Sequence, residues 1–146
     1  MPNSKRAMDI IIFGSGLLMA CIHLGLLISA NDFAKFEQYL AFGLAMFLIV
    51  VGNVLSKTER NFFIGIRLPW TLASEENWRA THRLAGKLMV IFGLLLLGSA
   101  FFVQNVVITV VLSTSPLIIP VFYSYFYYAR KEKKRADDIQ TTRHRL

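Results

Sequence analysis

The sequence predicts an all-α protein, a four-helix transmembrane bundle with a cytoplasmic motif loop between helices 2 and 3. Three observations predict it. Asp, Glu, Lys and Arg are absent from residues 10–30, 38–56 and 88–129. Each of these tracts is apolar and reaches the length of about 20 residues that a helix needs to cross the hydrocarbon core. The basic residues gather beside the tracts rather than inside them.

The first span covers about residues 8–30. Lys5 and Arg6 ahead of an apolar run also describe a secretory signal peptide. The run is longer than the usual signal core, and cleavage after Ala30 would put bulky Ile28 where a small residue is wanted, so the segment reads as a retained span. The second span covers about residues 38–56. The third tract is long enough for two crossings, and its strongly polar interruption, Gln104 and Asn105, divides it into spans of about 84–103 and 106–129, followed by a basic tail over 130–146. Residues 1–146 then form a single integral membrane domain with almost no soluble remainder.

Composition agrees with that reading. Sixteen Lys and Arg stand against nine Asp and Glu, while 55% of residues are hydrophobic and 17% charged, which argues against an ordinary soluble domain. A pI near 9.9 suggests nucleic acid in other settings. Here the basic residues flank apolar tracts, so topology explains them and no direct nucleic-acid partner is expected. Cys21 is the single cysteine, so no intrachain disulfide forms.

Orientation follows from the flanks. Lys5 and Arg6, then Lys57, Arg60, Arg67, Arg79, Arg83 and Lys87, then seven basic residues of the tail fall on one side, whereas the other has Lys35 beside Asp32 and Glu37. The positive-inside rule places both termini and the long loop in the cytoplasm, with the lipid bilayer as the protein's first partner.

Features inside the spans are generic. Gly16 and Ala20, Ala41 and Ala45, and Thr109 and Ser113 have the small-xxx-small spacing that lets helices approach closely. Pro116 and Pro120 should kink the fourth span, with Ser113, Thr114 and Ser115 at hand for the carbonyls that the prolines free. Tyr123, Tyr125, Tyr127 and Tyr128 read as interface anchors at one end, and Phe33, Phe36 and Tyr39 at the other. Among polar residues, Asp9 is expected to be neutralised by Lys5 or Arg6, His23 to be a neutral imidazole bonded to a neighbouring helix, and Asn53 to cap or cross-bond.

Residues 56–86 are the informative segment. They hold both tryptophans, and Phe62, Phe63 and Trp70 lie close to basic residues. Pro69 disfavours helix at Leu68 and Gly65 permits a turn, so residues 60–72 are expected to be irregular or extended. Ser74 is then a good N-cap, Glu75 and Glu76 suit the positive end of a helix, and Glu75 with Arg79 is a favourable i,i+4 pair. From Glu75 a helix runs into the third span with Trp78, His82 and Gly86 on one face. Arg60, Arg67, Arg79, His82 and Arg83 would converge on an anion, such as a lipid phosphate, an acidic peptide or a carboxylate, unless the loop only fixes topology.

Two motifs in this segment resemble the signature of the SdpI family, which runs approximately N-x-x-x-G-I-R-T-P-W-T-L, then W-x-x-T-H-R-x-x-G. Here Asn61, Gly65, Ile66, Arg67, Pro69, Trp70, Thr71 and Leu72 fill the first, and Trp78, Thr81, His82, Arg83 and Gly86 the second. Gly52 and Asn53 match the Gly-Asn pair that ends the family's preceding helix, and Leu68 stands where Thr is usual.

The resemblance implies a non-enzymatic bacterial membrane protein that gives immunity to a secreted peptide toxin, the sporulation-delaying peptide, and that signals to a cytoplasmic regulator. It also implies a short member, without the extra N-terminal membrane region of longer ones. The residues it nominates for binding or for shaping the motif are Asn61, Gly65, Arg67, Pro69, Trp70, Thr71, Trp78, Thr81, His82, Arg83 and Gly86. Arg67, His82 and Arg83 are the ones expected to carry binding, and Trp70 and Trp78 to wedge into the interface or stack on one another.

Other readings remain open at this point. One is a small membrane enzyme or carrier for an anionic lipid or precursor, with the arginines on phosphate and His82 as acid or base. No metal-ligand, P-loop or nucleophile motif accompanies it, and no cofactor is expected. The other is an accessory subunit whose basic tail grips anionic lipid or a soluble partner.

Overall fold

The computed structural model describes residues 2–61, 64–103 and 105–143, and among them it contains helices, turns and irregular segments but no strand. Phe62, Phe63 and Gln104 of the sequence argument lie outside the described residues, as do His144 and Arg145 of the tail.

Five helices follow in order, α1 (Pro2–Ile28), α2 (Phe33–Leu55), α3 (Pro69–Ala73), α4 (Glu75–Phe102) and α5 (Val106–Arg143). All but the short α3 are long and apolar enough to cross a membrane. The short α3 corrects the expectation of an irregular or extended chain through residue 72. Pro69 disfavours helix only at the residue before it, and with φ already fixed it opens a helix well, so the turn begins at the proline itself.

Capping accounts for the other starts. Asp32 accepts the Lys35 N–H at 3.1 Å ahead of α2, and that bond, with the Lys35 ammonium 3.3 Å away, holds the Asp32 carboxyl below the usual carboxylate range. Ser74 accepts the Asn77 N–H at the start of α4, and Glu75 and Glu76 occupy the first turn. From there α4 runs unbroken to Phe102. Asn105 accepts the N–H of Val107 and opens α5.

The elements form a row. α1 packs on α2, α2 most extensively on α4, and α4 on α5, while among the described residues no Cα of α1 comes within 8 Å of one in α4 or α5. At the central α2–α4 seam Ala41, Ala45, Leu48 and Val51 face Ala85, Met89, Leu96 and Ala100, all buried. Glycine sets its closest approach. A Cβ on Gly86 would stand 2.6 Å from the Gly52 carbonyl oxygen, and one on Gly52 2.8 Å from the Gly86 carbonyl oxygen, so neither position admits a side chain without parting the helices.

Several expectations about the spans change. The first small-residue pair does not mediate packing, since Gly16 has nothing within 4 Å and Ala20 is exposed. His23 bonds to the Met19 carbonyl of its own helix rather than to a neighbour, at 2.8 Å, and Asn53 likewise turns back to the Ile49 carbonyl. Pro116 and Pro120 are fully buried inside one continuous helix. Thr114 and Ser115 donate to the carbonyls of Val110 and Val111, and Ser113 to that of Val110, not to the Leu112 carbonyl that Pro116 frees. Glu37, which reads in sequence as a turn residue, is 5% exposed and accepts a hydrogen bond from the Thr109 hydroxyl at 3.1 Å, pinning α2 to α5.

Candidate functional site

The first helical turns of α4 project a polar stripe into the protein. Asn77, Trp78, Thr81 and His82 are all within 1% of complete burial, followed on the same side by Ala85 and Gly86. Burying so many polar groups is costly unless each finds a partner, and the segment between α2 and α4 supplies the partners.

His82 organises one half. Its Nδ1 lies 2.9 Å from the Trp78 carbonyl and its Nε2 3.0 Å from the backbone nitrogen of Ile66. A carbonyl only accepts and a backbone N–H only donates, so the ring carries its proton on Nδ1 and accepts at Nε2. The loop is thereby tied to the helix through a neutral imidazole. Trp78 stacks on the ring with centroids 3.9 Å apart and donates its indole N–H to the Thr58 carbonyl at 3.0 Å, which secures the end of α2 as well. Gly65 makes the approach feasible. Its φ is +112°, and a Cβ there would stand 2.2 Å from Nε2 of His82, so both the backbone conformation and the space require glycine.

Thr71 and Asn61 fold the loop that His82 holds. The Thr71 hydroxyl accepts the Leu68 N–H at 2.9 Å and lies 2.8 Å from the Ile66 carbonyl, which closes the turn into α3. Asn61 accepts the Ile64 N–H at 2.7 Å and donates to the Glu59 carbonyl.

The other half joins α3, α4 and α5. Trp70 donates its indole N–H to the Ser124 hydroxyl at 3.0 Å and packs its ring on Tyr125 and Tyr128. Asn77 donates to the Ser124 carbonyl at 3.1 Å and accepts from the Thr81 hydroxyl at 3.0 Å. The two tryptophans therefore do not stack on each other. They anchor opposite flanks of the segment.

The structure brings Asn61, Gly65, Pro69, Trp70, Thr71, Trp78, Thr81, His82 and Gly86 into one assembly, in which Thr71, Trp78, Thr81, His82 and Gly86 are buried, Asn61 and Trp70 half-buried, and Gly65 and Pro69 exposed. It does not gather the arginines with His82 around a common anion. His82 is turned inward with both ring nitrogens engaged, Arg60 donates to the Leu72 carbonyl at 2.9 Å, and Arg79 pairs with Glu75 on the surface. Arg67 is exposed, and Arg83 lines a separate recess with Lys87, Asn53 and Ser56. No cluster of metal-ligating side chains occurs among the described residues.

Sequence reasoning missed Asn77, Ser124 and Thr58 as members of the assembly. Asn77 offered a signal, since it stands one turn before Thr81 on the face that carries the motif. Ser124, in an apolar span, and the backbone oxygen of Thr58 offered none.

A model of the SdpI/YfhL protein family matches residues 57–124, which include this whole assembly. The chain belongs to the SdpI/YfhL family. The Immunity protein SdpI of Bacillus subtilis (strain 168) is 34% identical to it over 112 residues, which cover 75% of the chain and 54% of that relative. The chain thus spans about half the length of this SdpI relative. No solved structure matches it. The four apolar helices, together with the family, make the chain a multi-pass membrane protein.

Proposed function

We propose that the chain confers immunity or resistance to a membrane-active peptide toxin, acting without catalysis from within the bilayer, and that the motif segment reports the state of the bundle to a cytoplasmic partner. The likeness to an immunity protein supports the first part. The observation that carries the mechanism is an apolar recess of about 390 Å3 lined by Ile11 of α1, Phe47 and Val51 of α2, Met89 of α4 and Pro116 of α5, whose wall includes Ile64, Gly65 and Ile66.

The backbones of α1 and α5 stay more than 8 Å apart among the described residues while both helices line the recess, and in this reading an apolar ligand within the membrane enters between them. The wall is the same backbone that His82 holds, so an occupant that displaces Ile66 loosens the motif at its tightest point. In this reading both termini and the motif segment face the cytoplasm, as the basic flanks require.

An enzyme using His82 as acid or base fits less well, since a general base needs a ring nitrogen within reach of substrate and both are occupied by backbone.

The test is survival of toxin-sensitive bacteria expressing the chain during challenge with the sporulation-delaying peptide, beside empty vector and equally expressed Arg67→Ala. Protection by the wild type that exceeds the vector level is the expected result, and because the mechanism runs through the Ile66–His82 bond rather than the exposed Arg67, Arg67→Ala should retain it while equally expressed His82→Ala loses it. Absence of protection despite confirmed membrane insertion overturns the proposal.

A further inference from the structure

Where α5 leaves its apolar stretch it forms a cleft with the start of α4, about 790 Å3 in volume and lined by Tyr123, Phe126, Tyr127, Arg130, Lys131 and Lys134 of α5 and Glu76 of α4. Lys131 and Glu76 form an ion pair across it. Arg130 and Lys134 have no ion-pair partner among the described residues and stand one turn apart on the same face. Beneath them Tyr123, Phe126 and Tyr127 continue that face into the apolar part of the helix. At 1.5 Å per residue the series from Tyr123 to Lys134 rises about 16 Å, from the apolar level to beyond Ala129, the last residue of the uncharged tract.

A second cleft on the other side of Lys131 provides an internal comparison. It is lined by Glu75, Glu76, Glu132 and Asp138 as well as Lys131, Lys134 and Arg135, so carboxylates outnumber cations there. In the first cleft three cations face one carboxylate. An anion is therefore attracted to one side of the Lys131–Glu76 bridge and not to the other. The aromatic floor selects among anions, because only one that carries an apolar part uses Phe126 and the two tyrosine rings.

We infer that the cleft between α5 and the start of α4 is a binding site for one anionic glycerophospholipid, with its phosphate between Arg130 and Lys134 and its glycerol and upper acyl chain along Tyr123, Phe126 and Tyr127. This inference does not depend on the toxin reading. Cation pairs of this kind hold phosphate by charge-assisted hydrogen bonds, and tyrosine hydroxyls one to two turns deeper stand at the level of the ester groups.

The test is native mass spectrometry of the intact chain in mild detergent after incubation with phosphatidylglycerol or phosphatidylcholine. The wild type should retain one phosphatidylglycerol and at least five-fold less phosphatidylcholine. Arg130→Gln/Lys134→Gln should lose phosphatidylglycerol at least five-fold, and Lys5→Gln/Arg6→Gln, which removes the same charge elsewhere, should not. Glu76→Gln, which deletes the opposing carboxylate and frees Lys131, should raise retention. Equal retention of the two lipids, equal loss in both double variants, or unchanged retention in Arg130→Gln/Lys134→Gln overturns the inference. So does full displacement of the lipid by millimolar inorganic phosphate, which would make the ligand a soluble anion.

Discussion

The assembly around α3 and the first turns of α4 and the exposed face of α1 are built on opposite principles. In the first, nearly every buried polar group has a named partner, two glycines admit no side chain, and three helices meet around Trp70, Asn77 and Ser124. Among the described residues the backbone of α1 lies beside that of α2 and of no other helix, and Phe13, Met19, Leu24 and Leu27 turn outward into what would be lipid. Lipid tails are as apolar as these side chains, so α1 gains little from choosing one over another. Specific geometry is concentrated where polar groups had to be buried, and composition suffices elsewhere.

That contrast is most sharply broken at Gly65. Gly65→Ala puts a Cβ against Nε2 of His82 in a backbone conformation that side chains rarely adopt. The strained backbone costs roughly 1–3 kcal/mol, and orphaning the buried Ile66–His82 bond a similar amount. A denaturant titration in detergent should show a clearly lowered midpoint, and an unchanged one would mean that the loop is not held by His82.

Asn77→Ala should have a smaller effect, about 2 kcal/mol, because it leaves Thr81 and the Ser124 carbonyl short of a partner without forcing any backbone apart. The same titration checks it, and hydrogen exchange of the Trp70 indole N–H should speed up as α3 loosens from α5.

Phe13→Ala, on the outward face of α1, should change the midpoint by less than about 0.5 kcal/mol. A loss as large as that of Asn77→Ala would show that α1 has a protein partner on that face and would remove the contrast.

Much of this was legible in sequence because it rests on local rules. Uncharged tracts of the right length and the basic flanks define the crossings. Ser74 with Glu75 and Glu76 marks the start of α4, and its register puts Trp78, His82 and Gly86 on one side. The α3 turn does not follow from what Pro69 forbids at Leu68; it follows from the fixed φ with which the proline opens a helix. The arginine cluster failed for a different reason. Sequence proximity of Arg60, Arg79 and His82 carries no information on direction, and burial sent the histidine inward while the arginines found Leu72 and Glu75 on the surface.

By itself, then, the sequence determined the four apolar helices, the continuity of α4 and the one face that carries Trp78, His82 and Gly86, because helix length, capping and periodicity act over a few residues, whereas the full set of motif residues came from resemblance to a family signature. Only the tertiary structure decided what those residues face: that Nε2 of His82 accepts the Ile66 N–H, that Gly52 and Gly86 touch, and that Glu37 is buried against Thr109. Such pairings join residues far apart in the chain, and they are fixed by which groups must be satisfied when the helices close, a condition that no local pattern encodes.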